Sequence, residues 1–293
     1  MSEVSRSAYP WIWFQQAMSN LARKNGGAHR ALYDFVEPYD AFVSKFISRP
    51  HGLDTDRPQD YLACILLVRS FRLLVGGLWL AASGYADLSP NIGRTIFEIL
   101  VRLIYSQKDP KAAALGFFLY GDIREIKTME TELGHLESKG LPVGNLRKNL
   151  ETLRSHLVML EGLASTRGII PAEAVKTFGK LNIRQACQEI GIERSYLVDY
   201  SFESGHVHER NVTTNSFRTQ SGAVAQYALG PINEPTDAHA SACDVFKYFG
   251  LVATNAAVLV QDAAAKKEAI SLLTRLGAAF EVALEGWREQ RGT

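Results

Sequence analysis

Cysteine is scarce in this chain of 293 residues, and its three thiols, Cys64, Cys187 and Cys243, lie far apart. No C-x-x-C pair or Cys/His spacing of the kind that zinc needs is present, and an odd, scattered set does not make a disulfide framework. We therefore expect small buried thiols in a reducing compartment. The chain also lacks an excess of either charge, since 32 Lys and Arg against 31 Asp and Glu leave a net charge of +1. Composition alone thus gives no electrostatic case for nucleic-acid binding.

A secretory signal is also absent, because the first sixteen residues have no basic start followed by an apolar stretch and a small-residue cleavage site. We expect a cytoplasmic protein. The segment 61–83 is long enough to span a membrane, but Arg69 and Arg72 lie near its middle. Each arginine costs about 2.5–3.5 kcal/mol on insertion, whereas each Leu, Ile, Val or Phe returns only about 0.3–0.6 kcal/mol. The sequence therefore predicts a central helix of a soluble bundle, with acidic partners for both arginines.

Helical periodicity dominates the chain, and alternating strand patterns are missing. We predict an all-α multi-helix bundle that forms one domain overall: an N-terminal helical segment (1–58), a central bundle (59–210), and a long loop with C-terminal helices (211–293). The predicted helices are 9–24, 29–48, 59–83, 90–107, 110–138, 143–165, 171–190, 193–208, 235–263 and 266–289. Ser89-Pro90 and Asp109-Pro110 have the cap-then-proline pattern of helix starts. The apolar stripe of the last helix favours packing on the bundle, with a homodimer through terminal helices as the alternative.

A first polar stripe crosses the apolar helix predicted at 90–107. Arg94, Glu98 and Arg102 follow one another at a spacing of four and therefore share one helix face. Two interpretations stay open. The stripe is either a structural ion-pair ladder, or a site in which Glu98 acts as a general base and Arg94 clamps an anion.

A second polar stripe ends the helix predicted at 193–208, where Tyr200, Ser204 and His208 again recur every four residues. His206 is two residues from His208 and points about 200° away on a helix, so the two histidines do not form one metal-binding pair. A long polar loop follows directly, and loops of that length are often functional. We predict a metal-free catalytic set without a cofactor, made of Arg94, Glu98, Tyr200, Ser204 and His208.

The R-x-x-x-E helix at Arg94 and Glu98, a following charged helix (Asp122, Arg124, Glu125, Lys127) and the later Y-x-x-x-S-x-x-x-H pattern resemble the bacterial family called domain of unknown function 5677. The resemblance covers about residues 60–210. It implies an all-helical bundle with no settled activity, and it points to the same five residues.

At the family level the pattern is also similar to HEPN ribonucleases, helical proteins of bacterial toxin and phage-defence systems. That resemblance implies a metal-independent effector that cleaves RNA. HEPN enzymes carry an R-x(4–6)-H motif, and the match here, Arg23 to His29, runs through Gly26-Gly27, where a helix would break. The departure weakens this interpretation, although Arg94, Glu98 and His208 could still assemble an acid–base site by folding.

Two other functions stay open. Glu132-x-x-His135 and Glu203-x-x-His206 have the spacing that di-iron carboxylate bundles use twice. The other alternative is a non-catalytic helical interaction or sensor module whose polar stripes specify how its core packs.

Overall fold

Helices account for nearly all regular structure in the computed structural model, which describes residues 34–49, 51–53, 55–82, 89–197, 218–221, 224–227 and 235–291. In chain order they are α1 (Val36–Ile47), α2 (Pro58–Ala82), α3 (Ser89–Ser106), α4 (Pro110–Ser138), α5 (Gly144–Thr166), α6 (Pro171–Ala174), α7 (Ile183–Glu189), α8 (Glu193–Ser195), α9 (Pro235–Leu259) and α10 (Ala263–Arg291). The all-α prediction is confirmed. Within the segment predicted as a long loop, a short antiparallel hairpin pairs β1 (Arg218–Ser221) with β2 (Val224–Tyr227). The helix predicted at 9–24 lies outside the described residues.

Helix boundaries follow local chemistry where the sequence predicts them. The Asp109 carboxylate accepts a hydrogen bond from the Ala112 amide at 3.1 Å, so it caps α4, and Pro110 occupies the first turn, where its missing N–H costs nothing. At the other end of α4, Gly140 takes a φ of +66°, a conformation that glycine adopts without strain. The Asp109 cap and the turn at Gly140 thus mark the two ends of α4, which spans the predicted residues 110–138.

The core is centred on α2, α3 and α9, which pack on one another, while α1 and α10 cover one flank. Its largest fully buried side chains are aromatic and come from distant parts of the chain: Tyr39, Phe97, Phe246 and Phe249. Each such side chain contributes about 1.5–3 kcal/mol by leaving water. One cluster of buried residues thus joins all three predicted segments of the chain.

The continuous helix predicted at 171–190 is wrong. Helix α6 passes into a π-helical turn, Val175–Gly179, and α7 begins separately after the Asn182 side chain caps it. Close backbone approach explains the break. A Cβ added at Gly179 would lie 2.5 Å from Cβ of Tyr120, and one added at Gly116 would clash with the Ala174 carbonyl. Only glycines let α4 and the π-helical turn approach so closely.

Two described segments are long and apolar enough to cross a membrane, Pro58–Ala81 of α2 and Ala242–Leu259 of α9. Of their most apolar windows, 50% and 61% of the residues are buried inside the fold, as in core helices of soluble proteins. Location therefore stays a prediction. Arg69 and Arg72 on α2 are exposed, and no described carboxylate lies within ion-pair distance of either. The predicted acidic partners are thus not found among the described residues.

Helices α4 and α5 form a long antiparallel hairpin. Their facing side chains recur at alternating spacings of three and four residues, the pattern of a coiled-coil seam. The seam consists of Ile126, Met129, Leu133 and Leu136 on α4 and Leu146, Leu150, Leu153, Leu157 and Leu160 on α5. Ion pairs flank it, with Arg147 to Glu137 at 2.6 Å and Arg154 to Glu130 at 2.7 Å. Only Leu150 and Leu160 of this seam are fully buried.

Candidate functional site

An open groove of about 610 Å³ lies where α2, α3, α4 and the π-helical turn meet. This volume is in the usual range of ligand sites. We call it the charged groove, because its lining includes three cations and three carboxylates: Arg69, Glu98, Arg102, Asp122, Arg124 and Glu125. The aromatic side chains of Phe117, Phe118 and Tyr120 complete one wall.

Glu98 is the predicted general base, and the structure places it on the lining of the charged groove. Arg94 Nε lies 3.3 Å from Glu98 Oε1, so the first pair of the predicted ladder is confirmed. The side chains of Arg94 and Glu98 are 21% and 36% exposed, so the pair is partly buried and still in contact with solvent. Arg94 itself does not line the groove. It is therefore placed to hold the carboxylate rather than to clamp a ligand there.

The ladder predicts that Arg102 pairs with Glu98, but in the structure its hydrogen bond goes to a different partner. Its guanidinium donates to the Phe178 carbonyl at 3.2 Å and lies over the Phe117 ring, 5.6 Å from the centroid. Burial lowers the pKa of Arg102, the charge of Glu98 raises it, and nearby Arg69 lowers it further. A partly desolvated cation interacts strongly with nearby charges, because little water screens it, and here Glu98 has a larger effect than Arg69.

None of the sequence motifs includes His156, although it is the closest polar partner of a groove carboxylate. His156 Nδ1 lies 2.6 Å from Asp122 Oδ2, and the two side chains are 41% and 13% exposed. Asp122 lines the charged groove from α4, whereas His156 reaches it from α5. The signal that could have found the pair is the seam itself, since Asp122 occupies a seam position where an apolar residue is expected.

Tyr200, Ser204 and His208 lie outside the described residues, as do Arg23, His29, Glu203 and His206. Whether the second stripe meets Arg94 and Glu98 therefore stays a prediction. Glu132 and His135, the described half of the di-iron pattern, are both exposed on α4. Among the residues that the structure describes, no group of three or more His, Cys, Asp or Glu side chains could hold a metal ion.

Residues 60–223, more than half of the chain, match the family described as "Family of unknown function (DUF5677)". This region contains α3 to α8, all but the first two residues of α2, and the entire lining of the charged groove. Neither the curated proteins nor the solved structures give a significant match. The chain therefore belongs to the DUF5677 family.

Proposed function

We propose that the charged groove binds RNA and that the protein is a metal-independent ribonuclease, with Glu98 as its general base. The observation that supports this is the convergence of Arg69, Arg102 and Arg124 with Glu98 on one open groove. Arginine suits a phosphodiester because its planar guanidinium donates several hydrogen bonds and keeps its charge. Glu98 is one of three carboxylates on the lining; a carboxylate repels a phosphate, but it can accept the proton of a ribose hydroxyl.

The reaction we propose needs neither metal nor cofactor. The Glu98 carboxylate takes the proton of a ribose 2′-hydroxyl, the 2′-oxygen attacks phosphorus, and the bond from phosphorus to the 5′-oxygen breaks. The leaving 5′-oxygen receives a proton, for which we propose His208, and the product carries a 2′,3′-cyclic phosphate. Arg69 and Arg102 offset the charge that builds up on the phosphoryl oxygens. Cytoplasmic toxin or defence effectors are the kind of protein in which we expect this activity.

The test uses a labelled single-stranded oligoribonucleotide in buffer with a chelator. Glu98→Gln should bind it at least as tightly as the wild-type protein, because the substitution removes a negative charge, and should cleave it about 10²- to 10⁴-fold more slowly, the range that a general base contributes. Arg69→Ala and Arg124→Ala should weaken binding and lower the slope of log affinity against log salt by about one each. Arg147→Ala on the distal part of the α4–α5 hairpin is the matched control and should leave both unchanged. Wild-type protein that does not bind RNA, or Glu98→Gln that cleaves at the wild-type rate, would refute the proposal.

A non-catalytic ligand-binding module is the second candidate, and one observation favours it. The Arg94–Glu98 pair has the spacing and solvent exposure of an ordinary surface pair. A module of this kind would bind an anion in the charged groove and leave it intact. Tight RNA binding without cyclic phosphate product in the same experiment would support it over the ribonuclease.

A further inference from the structure

A second cavity, of about 640 Å³, opens beside the charged groove and shares Arg69 of α2 with it. Its lining is mostly apolar and includes Ile65, Val68 and Leu73, with Arg72 among them. Arg69 lines both this second cavity and the charged groove. One exposed cation therefore stands between two sites of similar size.

An aromatic stack also connects the two linings. His51, which lines the second cavity, stacks on Tyr61 with centroids 5.8 Å apart and ring planes 23° apart. Tyr61 stacks in turn on Phe118, which lines the charged groove, at 5.3 Å and 26°. Because Tyr61 has one ring on each side, the stack joins the linings of the two sites through direct ring contacts.

We propose that the second cavity takes the base of the nucleotide on the 3′ side of the phosphate bound at Arg69. This inference rests on the proposed function and names its substrate more closely: a single-stranded unit of two nucleotides with its bridging phosphate at Arg69. Apart from Arg69, Arg72 and His51 the lining is apolar, which suits the flat and largely apolar surface of a base. Arg72, at the next turn of α2, is left to attract the following phosphate from outside. A base in a duplex is stacked and paired, so only a single strand can supply one.

The experiment measures binding by calorimetry to Glu98→Gln protein, which keeps ligands intact. The probes are a nucleoside 3′-monophosphate and the corresponding dinucleotide with a 2′-O-methyl group. The dinucleotide should bind about tenfold more tightly, the gain typical of one additional base contact. Val68→Trp fills the second cavity and should remove that gain while leaving monophosphate affinity unchanged. Val158→Trp, at a side chain on α5 that is 67% exposed, is the matched control and should keep the gain.

Arg72→Gln is a second variant, and it should leave the fold intact because Arg72 is exposed. A trinucleotide has a second phosphate that Arg72 would attract, so Arg72→Gln should weaken its binding several-fold. Binding of the nucleoside 3′-monophosphate, which lacks that phosphate, should not change. The outcomes separate the two proposals. If neither probe binds, both the RNA-binding function and this inference are overturned. If both probes bind equally, if Val68→Trp keeps the gain, or if duplex RNA binds as well as a single strand, only this inference is overturned.

Discussion

The substitution Glu98→Gln distinguishes a reactive carboxylate from a structural one. Arg94 and Glu98 are four residues apart on α3, their polar atoms are 3.3 Å apart, and their side chains are 21% and 36% exposed. Helical pairs of this spacing contribute about 0.3–0.5 kcal/mol, because solvent screens the attraction. For a chain of this size that free energy corresponds to a fall in Tm of about 0.5–1 °C. Cleavage, in contrast, should fall at least about a hundredfold.

Arg154→Gln is the control for the stability part of this prediction. It breaks the pair with Glu130, whose atoms are 2.7 Å apart and whose side chains are 56% and 47% exposed. Calorimetric melting of both variants should show similar small losses, whereas only Glu98→Gln should lose cleavage. A loss of more than about 5 °C for Glu98→Gln would mean that the carboxylate belongs to the core network, and the reasoning would fail.

Three further outcomes are expected from the described contacts. Gly116→Ala should lower the free energy of unfolding by about 1–3 kcal/mol, because its Cβ would press on a carbonyl of the neighbouring segment. Gly134→Ala, on the same helix with nothing within 4 Å, should raise it by about 0.5–1 kcal/mol, and denaturant titrations showing equal effects would contradict the packing argument. Burial raises the pKa of Cys64 and Cys187 to about 11 and of Cys243 to about 12, so a disulfide reagent at pH 8 should label them slowly until urea is added. Unfolded thiols ionise near 9.0, below the folded values, so the free energy of unfolding should decrease as the pH rises from about 9 to 11, and a flat urea-melt profile there would count against this.

Features governed by neighbours in sequence could be predicted. The cap at Asp109, the stop at Gly140 and the pair of Arg94 with Glu98 each depend on residues within a few positions, whose geometry a helix dictates. The family resemblance over about 60–210 agrees with the matched region 60–223 for the same reason, since it was carried by short local patterns.

Features governed by contacts between helices could not be predicted. Arg102 finds its acceptor at Phe178, 76 residues away, and no spacing rule connects the two. The break after α6 depends on how closely α4 approaches, and for Asp122 the seam spacing marks the odd polar position without identifying His156 as its partner. The charged groove is the joint product of these contacts. Its cations could be found in the sequence, but their convergence could not.

The Asp122–His156 hydrogen bond has a consequence for how the hairpin assembles. A leucine-rich seam with a regular repeat tolerates sliding by one heptad, because apolar side chains would still meet apolar side chains. Sliding here would place the largely buried Asp122 carboxylate against leucine and leave it without its imidazole partner, which is unfavourable for a carboxylate that is mostly out of water. This one polar pair therefore favours a single register between two helices of 29 and 23 residues. Because that same carboxylate lines the groove, locking the register also sets the shape of the place where a ligand would bind.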